Sequence, residues 1–122
     1  MPNLAMALLY VDKAAVSAAF YADLLGLETV HSSPNFSTVT FPSGFVLALW
    51  SKHTARPAPS AANGSGELLV MVDSPAAVDT TCESWRLKGL TILQEPEEMV
   101  FGRTCVALDP DGHRIRLCLP DE

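Results

Sequence analysis

The chain has 122 residues, of which 48% are hydrophobic and 18% are charged, and its formal net charge is −6. This size predicts one ordinary globular domain, and the acidic balance excludes a nucleic-acid partner because phosphate backbones bind basic surfaces. No apolar run approaches the roughly 20 residues that span a bilayer, and the N-terminus lacks the features of a signal peptide. The three cysteines, an odd number without CxxC spacing, predict reduced thiols and a cytoplasmic protein.

The first half of the chain begins with a short apolar strand that ends at Val11-Asp12, and an Ala-rich amphipathic run then continues to Gly26. We predict a helix that Asp12 caps and that ends at Gly26 in the left-handed conformation. Its apolar stripe is expected to consist of Val16, Phe20 and Leu24. Three β-like runs follow, at residues 27–31, 36–41 and 45–50.

The second half repeats this order, and Val72-Asp73 stands 61 positions after the Val-Asp pair of the first half. Asp73 or Ser74 is expected to cap a helix that has Pro75 in its first turn and ends at Gly89. The apolar stripe of this helix is predicted to be Val78, Cys82 and Trp85. Three β-like runs follow at residues 91–94, 100–108 and 113–119, with the glutamates around Pro96 predicted as a solvated loop.

Residues 52–65 separate the two halves and have the proline, glycine and serine content of a linker. The sequence therefore predicts an α+β fold of two βαβββ modules in tandem, residues 4–51 and 66–120, within a single domain of residues 1–122. A module of this size has a one-sided sheet that cannot bury its inner face alone. We expect curved, cup-like mixed sheets that pair, within the chain or with a second chain in a dimer.

Two segments resemble the vicinal oxygen chelate superfamily, which includes glyoxalase I, bleomycin-resistance proteins and extradiol dioxygenases. They are Phe20-Tyr21-Ala22-Asp23-Leu24-Leu25-Gly26-Leu27 and the turn Asp109-Pro110-Asp111-Gly112. The resemblance implies the paired βαβββ fold and, in the bleomycin-resistance branch, a cytosolic homodimer whose two pockets lie at the interface. It leaves the chemistry open, because the superfamily includes lyases, dioxygenases, epimerases and non-catalytic binders.

The superfamily's enzymes hold a divalent ion with His or Glu side chains from the first and last strands of each module. The resemblance places these positions at Met6, Ala48, Glu67 and Arg116. A thioether, a methyl group, one carboxylate and a guanidinium do not form a divalent-cation site, because arginine stays protonated and repels the ion. We therefore predict no metal, no cofactor and no enzymatic activity.

Two further expectations concern charged and titratable residues. Glu67 and Arg116 should form an ion pair on adjacent strands, with Arg116 keeping donors free for a ligand, since a buried charge without a partner is costly. A purely structural pair is the alternative. His31, His53 and His113 lie outside the four positions, and His53 (linker) and His113 (turn) are predicted to be solvated.

Without a metal, the concave sheet faces remain as a binding surface. Strand alternation predicts that Met6, Leu8, Ala48, Trp50, Glu67, Leu69 and Met71 point inward. The ligand-binding candidates are Met6, Phe36, Ala48, Trp50, Glu67, Met71, Met99, Phe101, Arg103 and Arg116, among which Trp50 is preferred because of its flat aromatic surface at a strand end.

The function that this pattern favours is non-catalytic binding and sequestration of a bulky, partly aromatic antibiotic or natural product, which confers resistance or self-protection. An isologous homodimer is expected, with no nucleic-acid or membrane partner. Two alternatives stay open at this point. One is a metal-dependent or cofactor-free lyase, isomerase or dioxygenase, and the other is a structural module whose cup is filled by its own side chains.

Overall fold

The computed structural model describes residue 4 and residues 6–59, 66–100 and 102–118. The chain divides into two compact units, Met1–Ala61 and Ala62–Glu122. Within the described ranges, neither helix has the length and apolar character that a membrane span needs. The α+β class is confirmed, since each unit holds one helix and one four-stranded mixed sheet.

The first unit follows the predicted order of strand, helix and three strands. Its elements are β1 (Met6–Val11), α1 (Ala14–Leu25), β2 (Thr29–His31), β3 (Phe36–Thr40) and β4 (Val46–Ser51). The sheet order is β1-β4-β3-β2, in which β1 runs parallel to β4 and the other pairs are antiparallel. The crossover between the parallel strands β1 and β4 consists of α1, β2 and β3, and α1 packs against β2, β3 and β4.

Helix α1 presents a different face to the sheet from the one predicted. Its buried residues are Ala14, Ser17, Ala18 and Tyr21. The predicted stripe is wrong at Val16, which is 55% exposed, whereas Phe20 and Leu24 are half-buried. Small side chains let the helix approach the sheet closely, and the large Tyr21 ring fills the space that remains. Gly26 ends the helix at φ 66°, as predicted.

The predicted capping role of Asp12 is also wrong. Lys13 occupies the N-cap position of α1 and its side chain makes no capping hydrogen bond. The Asp12 carboxylate instead contacts the His53 ring, with 2.6 Å between Oδ1 and Nε2. The turn after β4, which the sequence assigned to the linker, is thereby joined to the end of β1. The Lys52 N–H donates to the Val11 carbonyl and reinforces this junction.

The second unit repeats the same topology. Its elements are β5 (Glu67–Met71), α2 (Pro75–Leu87), β6 (Thr91–Met99), β7 (Gly102–Leu108) and β8 (Arg114–Cys118), in the sheet order β5-β8-β7-β6. Ser74 caps α2 by accepting a hydrogen bond from the Ala77 N–H, and Pro75 begins the helix. The predicted stripe of Val78, Cys82 and Trp85 is confirmed as the buried face.

Strand β6 extends further than predicted. The glutamates around Pro96 lie within this edge strand rather than in a loop, and its pairing with β7 shifts register twice, between Ile92 and Gln94 and between Gln94 and Glu97. Proline lacks an N–H and is tolerated at sheet edges and bulges. Charged side chains also protect an edge strand from pairing with another chain.

Alternation along the strands gives each sheet one face toward its own helix and one opposite face, which we call the open face. The helix-side residues form the core of each unit. In the first unit they include Val11, Val39, Leu47 and Leu49, and in the second Cys105, Ala107, Ile115 and Leu117. The open faces carry most of the predicted site residues.

Candidate ligand-binding site

The open face of the first unit carries three aromatic side chains in one row across the sheet. Trp50 on β4 is in register with Tyr10 on β1 and with Phe36 on β3. The ring centroids of Tyr10 and Trp50 are 6.3 Å apart with planes tilted by 32°, and those of Phe36 and Trp50 are 6.0 Å apart in an edge-on arrangement. We call these three residues the aromatic row. All three rings retain exposed surface.

Tyr10 was not among the predicted site residues, although it follows Met6 and Leu8 at alternate positions of β1. Three residues that were predicted also share this open face. Met6 is 41% exposed and pairs with Val46, whereas Leu8 pairs with Ala48. The Ala48 side chain has no exposed surface. Its single methyl group is shorter than the side chains at the neighbouring register positions, so the structure does not offer Ala48 for direct ligand contact. Met6 and the aromatic row remain accessible.

The two histidine–aspartate pairs differ in their surroundings. His53 and Asp12 both keep more than half of their side chains exposed, and the hydrogen bond from His53 lowers the pKa of the Asp12 carboxyl. His113 is not solvated as predicted, because Nδ1 lies 2.7 Å from Asp109 Oδ2 and only 12% of the side chain is exposed. The Asp109 carboxylate also accepts the N–H groups of Asp111 and His113 and so organises the turn.

On the open face of the second unit, the predicted ion pair between Glu67 and Arg116 is confirmed. Arg116 Nε donates to Glu67 Oε1 (2.7 Å) and Nη2 donates to Oε2 (3.0 Å), which is a two-pronged charge-assisted contact. This hydrogen bonding lowers the pKa of the Glu67 carboxyl and raises the pKa of Arg116. Only 28% of the Glu67 side chain and 15% of the Arg116 side chain are exposed.

The expectation that Arg116 keeps donors free is not supported. Nη1 donates to Gln94 Oε1 (3.0 Å) and to Thr104 Oγ1 (3.2 Å), in addition to the two bonds to Glu67. Four donations therefore hold the guanidinium in place, and its role in this unit is to fix the surrounding polar groups.

A second arginine of this open face was missed in the sequence. Arg114 is in register with Glu67, and its Nη1 lies 3.6 Å from Glu67 Oε2. Its side chain is 45% exposed. Its position two residues before Arg116 on β8 was the available signal, because strand residues at this spacing share a face. Leu69 and Met71 on the neighbouring β5 are 58% and 62% exposed.

The remaining candidates are placed differently. Arg103 is not on the open face, because its guanidinium contacts Asp79 of α2 at 2.9 Å and lies 3.6 Å from Glu98. It joins the helix to the sheet and is separate from the candidate site. Met99 ends β6 with 42% exposure, and Gln94 Nε2 lies 3.1 Å from its sulfur atom. Phe101 lies outside the described residues.

The four positions at which the superfamily's enzymes carry metal ligands do not fit a divalent cation here. The Glu67 carboxylate, the only conventional oxygen donor among them, is bound by the Arg116 guanidinium. Ala48 offers no donor atom, and the fixed positive charge of Arg116 opposes an incoming cation. Within the part of the chain that the structure describes, no group of three or more His, Cys, Asp or Glu side chains is placed to hold a metal ion.

Two βαβββ units, each with one helix packed against a four-stranded mixed sheet, define the architecture of the glyoxalase fold. The chain belongs to the Glyoxalase/Bleomycin resistance protein/Dioxygenase superfamily, whose sequence model matches residues 3–117. The resemblance noted in the sequence is thereby confirmed.

Two individual proteins are similar to this chain over nearly its whole length. The chain is 34% identical over 122 residues to the phenazine antibiotic resistance protein EhpR of Enterobacter agglomerans, covering 96% of this chain and 90% of that protein. It is 43% identical to the Agrobacterium tumefaciens protein ATC0852, solved by solution NMR, with a TM-score of 0.88 and 98% of each chain covered.

A more distant structure shows the fold alone. Lactoylglutathione lyase from Agrobacterium tumefaciens is 20% identical with a TM-score of 0.72, and the match covers 94% of this chain and 91% of that one. A lyase therefore shares the fold of this chain, and the fold alone does not decide between lyase chemistry and ligand binding.

Proposed function

We propose that this protein binds a planar aromatic antibiotic of the phenazine type and confers resistance by holding the compound without transforming it. The observation that carries the proposal is the aromatic row of Tyr10, Trp50 and Phe36 on the open face of the first unit. The relative that is a phenazine antibiotic resistance protein supports the same ligand class.

The row suits a flat, fused-ring ligand for a physical reason. Aromatic rings gain about 0.5–1.5 kcal/mol from offset or edge-on contacts beyond the burial of their area. Trp50 already makes an edge-on contact with Phe36 and a tilted contact with Tyr10. The cross-strand register holds the three rings on adjacent strands. A ligand that stacks on Trp50 therefore meets a largely pre-organised surface, which reduces the entropic cost of binding.

The side chains at the four metal-ligand positions support a protein that holds its ligand rather than transforming it. The superfamily's enzymes rely on a divalent ion, and the residues at the corresponding positions here do not fit one. Burial raises the pKa of the Cys105 thiol to about 12, so this thiol stays protonated and is a poor nucleophile at neutral pH. These properties support sequestration over lyase or dioxygenase chemistry.

The two tryptophans of the chain provide a matched test of the proposal. Trp50 lies in the aromatic row, whereas Trp85 is a core residue of α2 with 3% exposure. Equilibrium dialysis against phenazine should show that Trp50→Ala weakens binding by at least about tenfold, the loss typical of an aromatic binding residue. Trp85→Phe should leave the affinity within about twofold and keep Trp50 as the single tryptophan, whose emission can be excited selectively over that of the tyrosines.

Two results would contradict the proposal. One is wild-type protein that binds no phenazine, and the other is Trp50→Ala protein that binds it as tightly as the wild type does.

We also propose that the protein acts as a homodimer in the cytoplasm, as expected from the superfamily's bleomycin-resistance branch. Light scattering on the eluting protein should give twice the mass of one chain, and a monomer mass would refute the dimer.

A further inference from the structure

We propose that the open face of the second unit is a further binding surface, on which Arg114 recognises the carboxylate of a planar aromatic compound, so that the protein prefers aromatic carboxylates over neutral aromatic compounds. This inference goes beyond the proposed function, since it concerns side chains of the second unit alone and not the aromatic row. Its basis is the arrangement of charged and apolar side chains on the open face of the second unit.

Two arginines, Arg116 and Arg114, share the Glu67 carboxylate unequally. Both of its oxygens accept hydrogen bonds from Arg116, at 2.7 and 3.0 Å. Arg114 approaches the same carboxylate only to 3.6 Å, beyond hydrogen-bonding distance. The negative charge of Glu67 is thus matched by Arg116, and the positive charge of Arg114 is only partly compensated by it.

The guanidinium group of Arg114 is more accessible than that of Arg116. Arg116 keeps 15% of its side chain exposed and is fixed by Gln94 and Thr104 as well as by Glu67. Arg114 keeps 45% exposed. A planar guanidinium with accessible N–H groups matches a carboxylate in geometry and charge, and the bidentate contact is among the stronger hydrogen-bonded pairs in proteins.

The neighbouring strand β5 offers an apolar surface for the aromatic part of such a compound. Leu69 and Met71 follow Glu67 at alternate positions of β5, on the same face, and both are more than half exposed. Residues at this spacing are about 6.7 Å apart along a strand, which is comparable to the length of a fused ring system. Beside Arg114, these side chains offer an apolar surface to the aromatic body of an acidic compound, and methionine sulfur contacts aromatic rings favourably.

The test compares two probes that share the same ring system, phenazine-1-carboxylate and unsubstituted phenazine, by equilibrium dialysis at neutral pH. Wild-type protein should bind the carboxylate at least about tenfold more tightly, the effect of one charge-assisted contact. Arg114→Gln should remove this preference by weakening carboxylate binding, while phenazine affinity stays within about twofold. Arg103→Gln is the matched control, because Arg103 is paired with Asp79 on the helix side, and it should preserve the preference.

The outcomes separate this inference from the proposed function. If both probes bind wild-type protein equally, the role of Arg114 is refuted and the aromatic-binding function stands. If neither probe binds, the proposed function itself fails. If Arg103→Gln reduces the preference as much as Arg114→Gln, the effect reflects overall charge and the assignment of Arg114 is wrong. The wild-type comparison decides the first point without any variant.

Discussion

Breaking the Glu67–Arg116 ion pair should lower the stability of the protein by an amount that depends on pH. Glu67→Gln keeps the size of the side chain but removes the charge and one of the two strong acceptors. Exposed ion pairs contribute about 0–1 kcal/mol to stability, whereas breaking a buried pair costs about 3–5 kcal/mol. With 28% and 15% of the two side chains exposed, this pair lies between these limits. We expect a loss of about 1–2 kcal/mol in the free energy of unfolding at neutral pH.

The pH dependence follows from the lowered pKa of Glu67. Its pKa in the folded protein lies below the ordinary value of 4.5, so the unfolded chain binds a proton there more readily than the folded one. The stabilisation is therefore fully present above pH 4.5 and disappears as the pH falls through the lower, folded pKa. Urea unfolding of wild type and variant should show a gap that is constant near neutrality and closes in acid.

A matched control is Glu98→Gln, because Glu98 is 70% exposed and lies 3.6 Å from Arg103. This change should alter the free energy of unfolding by less than about 0.5 kcal/mol. A Glu67→Gln variant as stable as the wild type at neutral pH would show that the ion pair contributes nothing to stability. A difference between the two proteins that persisted in acid would show that it does not arise from the charge of Glu67.

Three further stability predictions concern the framework, each measured by chemical denaturation. Tyr21→Ala should lower the free energy of unfolding by about 3–5 kcal/mol, because Tyr21 has no exposed surface, whereas Val16→Ala on the same helix should lower it by less than about 1 kcal/mol. Equal losses for the two variants would contradict the assignment of the buried face of α1. Ser74→Ala should cost about 1 kcal/mol through the lost cap of α2, and Ser74→Asp should restore it; a neutral alanine variant would contradict the capping role. Asp109→Ala should cost about 2–4 kcal/mol, since three hydrogen bonds to a fully buried carboxylate disappear, and a loss below about 1 kcal/mol would count against this turn as a structural element.

The order of elements could be predicted from the sequence because local signals and hydrophobic periodicity agree in both halves. In α2, the cap at Ser74 and the large apolar residues Val78 and Trp85 indicate the same face, and the structure confirms it. In α1, the buried face is built largely from alanine and serine, whose short side chains give a weak periodic signal. The larger Val16 dominated the pattern, although it points to solvent.

The open faces could be predicted in part. Alternation correctly placed Trp50 and Glu67, because each lies in a regular strand whose phase is clear. Arg103 required the register of β7 with its neighbours and the position of Asp79 on α2, which are tertiary properties that the local pattern does not contain. The same holds for β6, where pairing with β7 keeps a proline-containing acidic segment in an edge strand.

We propose that the protein holds an aromatic compound and releases it unchanged. The most direct measurement incubates the protein with a molar excess of phenazine, with and without added divalent ions, and then analyses the recovered compound by mass spectrometry. We predict saturable binding in simple stoichiometry with the protein, and recovery of phenazine at its original mass in both conditions. Conversion of more phenazine molecules than there are protein chains, in either condition, would show catalysis and exclude sequestration without transformation.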